Sequence, residues 1–436
     1  MRVLIFSDLV RPNGAGVMAL SAAEILSNAG HDVLLLAGAM RSDVVDSVRE
    51  TTSANAAAFT QDERALDTSI SPTARVAFQS AFDKWFRAEL DGFGPDVLYV
   101  HNCGRVLDQL DLAELSQRIP VIHTMHDEWF ISDAHYTFRP NATSRRDVRT
   151  FEPHRSPSLL QHSYDRLFEV PDRAGDLTLV APSNWLADRA RAVFPTLSVE
   201  HLPNAVDESL FTLQDRAEAR RLLGLSTDRP VLMFVGNPTQ ARKGFAAFDA
   251  AAVSANELFD GAELIEIVLG GSDSFPVHDG ESVLGPGPLK DRLAQPISAQ
   301  GGRLKLSGEG LVISGLDRSL IPAIYGAADL QIHPSRIDNL PTVPIEAGMC
   351  GTRCLASNVG GTAETVADTN DLFDVDIDAE SLGARIAAAL HEVAVETTEQ
   401  RSARRATQVG RFSTAIHTAG LLALLNRATR TAEVTA

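Results

Sequence analysis

The segment HPSRIDNLPTVPIEAGMCGTRCLASNVGGTAETV, His333 to Val366, places Asp338 and Glu346 eight residues apart across a bend of Asn339, Leu340 and two prolines. Carboxylates so placed can act as acid and base, or can accept paired hydrogen bonds from the hydroxyls of a sugar or ribose, and spacing does not separate these roles. The plainer reading of Glu346 is a first-turn residue that stabilises a helix dipole behind Pro344.

A second set of groups suits an anion. In NPTQARKGF, Arg242 and Lys243 stand side by side before Gly244, where an apolar run has just turned toward a helix. Two fixed cations at such a turn suit a diphosphate whose charge grows as it leaves, while the plainer reading is a solvated loop pair. Near the start, Asn13 to Gly16 (NGAG) opens a helix and offers backbone N–H groups with no bulky side chain in the way, although an ordinary strand-to-helix turn looks the same. Gly14 and Gly16 are followed by Val17, Met18 and Ala19, which departs from G-x-G-x-x-G and disfavours a nicotinamide-dependent dehydrogenase.

His123 and His126 have the spacing H-x2-H, but no cysteine or third ligand lies nearby in sequence, so a metal site is not indicated. Cys103, Cys350 and Cys354 are few, odd in number and unpaired in spacing, and read as reduced thiols. Between residues 139 and 155 five arginines (139, 145, 146, 149, 155) face only Asp147 and Glu152. An anionic membrane surface, a lipid-diphosphate acceptor and a solvated loop are all open readings of that excess.

These residues need elements to hold them. RVLIFSD, the glycine turn, a run with Met18, Ala22, Ile25, Leu26 and Ala29 at helical spacing, and HDVLLLAG make a strand, loop, helix, strand opening. PDVLYVHN, PVIHTMHD and LTLVAPS continue it as strands of a parallel sheet. Arg41 to Ser71 reads as a polar excursion, and AFQSAFDKWFRAEL as a helix with Phe78, Phe82 and Phe86 on one face. RPVLMFVGN starts a second cycle that runs through LIEIVLGG, LVISG, DLQIHPS and RCLASN. The tract 272–308, rich in glycine and proline, reads as a long loop, and TRTAEVTA at the end as a frayed tail.

The expected class is therefore α/β, with two Rossmann-like domains, 1–205 and 206–411, facing a cleft. Residues 412–436 are expected to form a C-terminal helix and tail, with the helix packing back toward the first domain. A length of 436 residues with 44% hydrophobic content allows both cores. The net charge of −18 argues against a nucleic-acid partner, and no apolar run is long enough to read as a leader or a membrane span.

The motifs together resemble one family, the retaining glycosyltransferases of family 4 with GT-B architecture. DNLPTVPIEAGMCGTRCLAS is similar to its E-x7-E signature, with Asp338 in the first carboxylate's place and Glu346 in the second's. NVGGTAETV resembles the GG-x-x-E element that follows, ARKGF the phosphate-binding lysine region, and HDEWFISDAHYTF a segment of members that build bacterial exopolysaccharide and O-antigen units. Asp338 is a methylene shorter than the usual glutamate, and Asn237 stands where many members carry an arginine, a role for which Arg242 is the substitute.

The resemblance implies transfer of a sugar from a nucleotide-diphosphate sugar to a glycan or lipid-linked acceptor, with no cofactor, no metal and no lasting enzyme adduct. His126, Asp338, Glu346 and Lys243 are the catalytic candidates. Glu346 would hold the ribose, Asp338 and His126 the donor sugar, and Arg242 and Lys243 the diphosphate. Gly14, Gly16, Asn339, Leu340, Gly360 and Gly361 complete the implied donor and nucleotide contacts. A cytoplasmic location with peripheral contact at the inner membrane face is expected. Two other classes stay in view: a sugar-nucleotide epimerase of the same fold, and a non-catalytic sugar-nucleotide-binding partner of another enzyme.

Overall fold

Short apolar runs rich in Val, Leu and Ile become strands buried on both faces, which is the environment of a parallel sheet covered by helices. The computed structural model describes residues 1–10, 15–62, 66, 72–131, 167, 169–223, 225–237, 240–258, 265–269, 309–313 and 318–435. Within them the strands form two separate sheets, and every strand pairing in both is parallel.

The first sheet contains β1 (Arg2–Val10), β2 (Asp32–Met40), β3 (Asn55–Thr60), β4 (Val97–Val100), β5 (Val121–Thr124), β6 (Leu177–Ala181) and β7 (Ser198–His201), in the order β3-β2-β1-β4-β5-β6-β7. The second contains β8 (Val231–Val235), β9 (Ile265–Leu269), β10 (Glu309–Ile313), β11 (Leu330–His333), β12 (Arg353–Ser357) and β13 (Leu372–Phe373), in the order β10-β9-β8-β11-β12-β13. Each order reverses once, between β1 and β4 in one sheet and between β8 and β11 in the other. Beyond the carboxyl ends of the strands at such a reversal lies the usual binding crevice of an open α/β sheet.

The chain divides into two compact units, residues 1–204 with 417–436, and residues 205–416. In the first, Phe6 of β1 meets Phe82 and Phe86 of the helix Pro72–Phe93 at 5.9 and 5.1 Å between ring centres. Phe78 of the same helix stands edge-on to Phe59 of β3. On the opposite face of the sheet, Leu421, Leu424, Leu425 and Ala428 of the helix Thr414–Thr435 pack with Val3, Ile5 and Tyr99. The last helix therefore belongs to the core of the first unit. In the second unit, helices including Phe245–Leu258, Ile321–Ala327, Thr342–Met349 and Ala379–Ala394 cover the sheet.

Three expectations change. Arg41 to Ser71 is not simply an excursion: it holds the helix Ser42–Thr51 and the edge strand β3, whose sequence NAAAFT is half alanine and carries a β-branched residue only at Thr60. The tail reads as helix to Thr435, in keeping with its alanines and the absence of Gly and Pro after Gly420. Glu346 lies in the second turn of Thr342–Met349 and not the first, so stabilisation of the helix dipole does not account for it.

Candidate functional site

In the second unit three loops converge beyond the ends of β8, β11 and β12. After β8 the chain passes through a short turn, Ala241–Lys243, and closes on Gly244 with φ +75°. A Cβ at Gly244 would lie 1.9 Å from the carbonyl oxygen of Pro334, so glycine is what lets the loop after β8 press against the loop after β11. Arg336 completes that contact by donating its N–H to the carbonyl of Arg242 at 2.7 Å. On the other side Gly360, φ +53°, approaches so closely that a Cβ would stand 2.1 Å from the carbonyl oxygen of Asp338, and Gly361 donates its N–H to the same oxygen at 3.1 Å. The backbone of Asp338 is thus held between its neighbours.

Its side chain is the hub of the site. Lys243 Nζ donates to Asp338 Oδ2 at 2.7 Å and Ser335 Oγ to the same oxygen at 2.9 Å. His333 Nε2 is 3.5 Å away, at the outer limit of a hydrogen bond, and Arg242 reaches within 3.9 Å of Oδ1. Burial alone would raise this carboxyl's pKa, but the Lys243 ammonium and the nearby His333 outweigh it and hold the group well below the usual carboxylate range. Burial lowers His333, partly offset by Asp338, so the imidazole is neutral near pH 7. One ionised carboxylate therefore faces two cations, a balance that leaves positive charge for an arriving anion.

Glu346 projects from Thr342–Met349, and the hydroxyl of Tyr325 in the preceding helix, Ile321–Ala327, donates to its Oε2 at 2.7 Å. Asn339, next to Asp338 in the chain, is half-buried. Leu340, expected at the nucleotide, instead sends its side chain into the apolar core of the unit, leaving only its backbone as a contact for a ligand. Tyr325 carries no motif signal, because IPAIYGAA reads as an ordinary core helix.

In the first unit a pocket of about 270 Å³ opens beyond β1, β4 and β5, and its lining includes Asp8, Gly16, Asn102, Arg105, His123, His126, Asp127 and Trp129. Asp8 accepts the backbone N–H of Arg105 at 3.3 Å, with the Arg105 guanidinium at 3.8 Å. Asp127 accepts the backbone N–H of Trp129 at 2.8 Å, and a Cβ at Gly104 would lie 2.5 Å from the Trp129 indole, so a glycine is needed beneath that ring. His126 Nε2 shares a hydrogen bond of 2.9 Å with Nδ1 of the fully buried His101. Burial, with neighbouring histidines adding to it, lowers His126 to about 4, His123 to about 3 and His101 well below its ordinary value. All three rings are neutral near pH 7, and one proton lies between the paired nitrogens of His101 and His126. Among the described residues no three His, Cys, Asp or Glu side chains are placed to hold a metal ion.

The structure thus gathers Arg242, Lys243, Asp338, Gly360 and Gly361 into one cluster of the second unit, with Glu346 eight residues on, and places Gly16 and His126 at one pocket of the first. Gly14, the arginine-rich segment 139–155 and the segment 272–308 lie outside the described residues.

Comparison with known proteins adds the following. Residues 12–210 match the family described as Glycosyltransferase Family 4, and residues 215–408 match Glycosyl transferases group 1. A D-inositol 3-phosphate glycosyltransferase of Geodermatophilus obscurus is 28% identical over 266 residues, 59% of this chain and 51% of the relative. The chain spans about half the length of the curated relatives it matches. The sucrose-phosphate synthase of Thermosynechococcus elongatus superposes with a TM-score of 0.68 at 17% identity, covering 99% of both chains. Anabaena HepE, solved with UDP-glucose, superposes with a TM-score of 0.64 at 17% identity, covering 98% of this chain and 100% of that one. At such identities these two show the fold. With the two family matches reaching from residue 12 to residue 408, one largely on each unit, the chain belongs to the family 4 glycosyltransferases of GT-B fold.

Proposed function

We propose that this chain is a retaining glycosyltransferase that moves a hexosyl group from a nucleotide-diphosphate sugar to a glycan or lipid-linked acceptor. The observation that carries the reading is the cluster of Lys243, Arg242 and Asp338 at the β8/β11 reversal, with Glu346 on the helix that follows β11. The two cations take the diphosphate, Glu346 the ribose hydroxyls, and Asp338 is the carboxylate nearest the sugar. The bond from the anomeric carbon to the phosphate oxygen breaks as the bond to the acceptor oxygen forms on the same face. The departing diphosphate takes the acceptor's proton, and Lys243 and Arg242 offset its growing charge without need of a metal.

The first unit is the acceptor side, with Gly16 and His126 at its pocket. A role in cell-surface polysaccharide synthesis, on the cytoplasmic side with peripheral contact at the inner membrane face, follows from the sequence likeness to exopolysaccharide and O-antigen members. No helix among the described residues is long and apolar enough to cross a membrane. The HepE complex makes UDP-glucose the first donor to offer, and the curated relatives make an inositol phosphate one acceptor to include.

The test is thermal stabilisation by a panel of UDP-, GDP-, ADP- and dTDP-sugars, followed by release of free nucleoside diphosphate with acceptors present. A donor at ~100 times its dissociation constant adds ~2.7 kcal/mol to stability. Stabilisation by one donor that Lys243→Ala and Glu346→Ala abolish, with release that depends on acceptor, supports transfer. Conversion of the donor sugar without acceptor points to an epimerase, and binding without turnover to a non-catalytic partner.

A further inference from the structure

The Tyr325 ring is fully buried and stands edge-on to Phe211, at 6.1 Å and 72°, inside the core of the second unit. Its own carbonyl accepts the hydroxyl of Thr352 at 2.7 Å, so the residue is fixed through its backbone as well as its ring. From that position the phenol donates at 2.7 Å to Oε2 of Glu346, a residue that remains partly exposed. Phenylalanine would fill the same apolar volume. What the hydroxyl adds is a fixed donor on one carboxylate oxygen, reached from inside the fold.

The final torsion of a glutamate is broad, and a carboxylate that must meet two adjacent hydroxyls works only in one plane. We infer that Tyr325 is a positioning residue that sets the plane of the Glu346 carboxylate, and through it the preference of the site for ribose over deoxyribose. This rests on the donor-site reading above. Burial and the Glu346 charge push the phenol well above its ordinary pKa, so it keeps its proton, and its role as donor, across the working pH range.

The experiment is calorimetric titration of the full chain with UDP, GDP and ADP, with their 2′-deoxy forms, and with inorganic pyrophosphate. Tyr325→Phe is expected to weaken the bound ribonucleotide by roughly 5-fold to 10-fold, the worth of one well-placed hydrogen bond. The 2′-deoxy form should weaken by less than about 2-fold and pyrophosphate not at all, since neither exploits the full ribose contact. Thr352→Val removes the hydrogen bond to the Tyr325 carbonyl without touching the phenol or the carboxylate, and is expected to lower Tm while keeping the ribose-to-deoxyribose ratio. Substitution of 3-fluorotyrosine for tyrosine throughout keeps the shape, alters the donor strength and should move the ratio, which serves if Tyr325→Phe does not fold. A ratio unmoved in whichever of these two folds, or moved equally by Thr352→Val, overturns the inference while leaving the function standing. A wild-type chain that binds no nucleoside diphosphate overturns the function itself.

Discussion

Lys243 and Asp338, 95 residues apart in sequence, form a 2.7 Å ion pair in which both side chains are at least four-fifths buried. The lysine proposed to meet the diphosphate is thus paired with the carboxylate proposed to lie nearest the sugar. On that proposal a diphosphate has to compete with Asp338 for the cation.

The pair also carries stability. Removing one member of a buried ion pair leaves the other charge uncompensated, so Lys243→Ala should destabilise by about 3 kcal/mol. Adding Asp338→Asn, which removes the orphaned charge, should recover most of that loss. Urea denaturation of the two single variants and the double variant checks this, and additive losses would mean the pair is not coupled.

Acid should weaken the first unit well before carboxylates titrate. His123 and His126 are held neutral in the fold, at about 3 and about 4, whereas an unfolded chain takes up their protons near pH 6.5. The unfolded state then binds more protons at every pH between those values, so stability falls as pH falls through that window. His101, held neutral by the same burial, adds a third group, so the three contribute a slope of about 4 kcal/mol per pH unit between roughly pH 6 and pH 4. Urea midpoints at pH 7, 6 and 5 test it, and His126→Gln should flatten the slope by about a third.

Asp338 contributes with the same sign in a lower window. Its folded pKa is depressed, so its stabilising charge is present above the unfolded value near pH 4 and is lost as pH falls toward the folded one. Asp338→Asn should leave the profile above about pH 5 unchanged in shape and flatten it below about pH 4.

Glycines separate site from scaffold. Gly244→Ala combines a positive φ with a contact of 1.9 Å to backbone, and should cost more than about 2 kcal/mol and abolish donor stabilisation. Gly410→Ala meets nothing within 4 Å in the helix Thr398–Phe412 and should add about 0.5–1 kcal/mol. Thermal melts with and without UDP-glucose distinguish the two outcomes.

Much of this architecture is legible in the sequence because buried parallel strands are continuous runs of Val, Leu and Ile, and because glycines at 244, 360 and 361 mark the places where backbones nearly touch. NAAAFT is not legible as a strand because its alanines carry no strand signal, and Glu346 lies one turn deeper than its spacing from Pro344 suggests because the helix starts at Thr342. Motif reading named Lys243 and Asp338 but not their bond, nor that of Tyr325 to Glu346 or His101 to His126, since pairing across distant segments leaves no spacing to read. Leu340 fails differently: a residue inside a binding motif can serve the core.

The first unit is discontinuous in the chain and the second is not. During synthesis the residues of the second unit are complete while one face of the first sheet still lacks Leu421, Leu424 and Leu425. A chain that stops at residue 416 would hold all of the second unit and a first unit exposing apolar sheet. Burial of the first sheet therefore waits on a segment made only after the whole second unit.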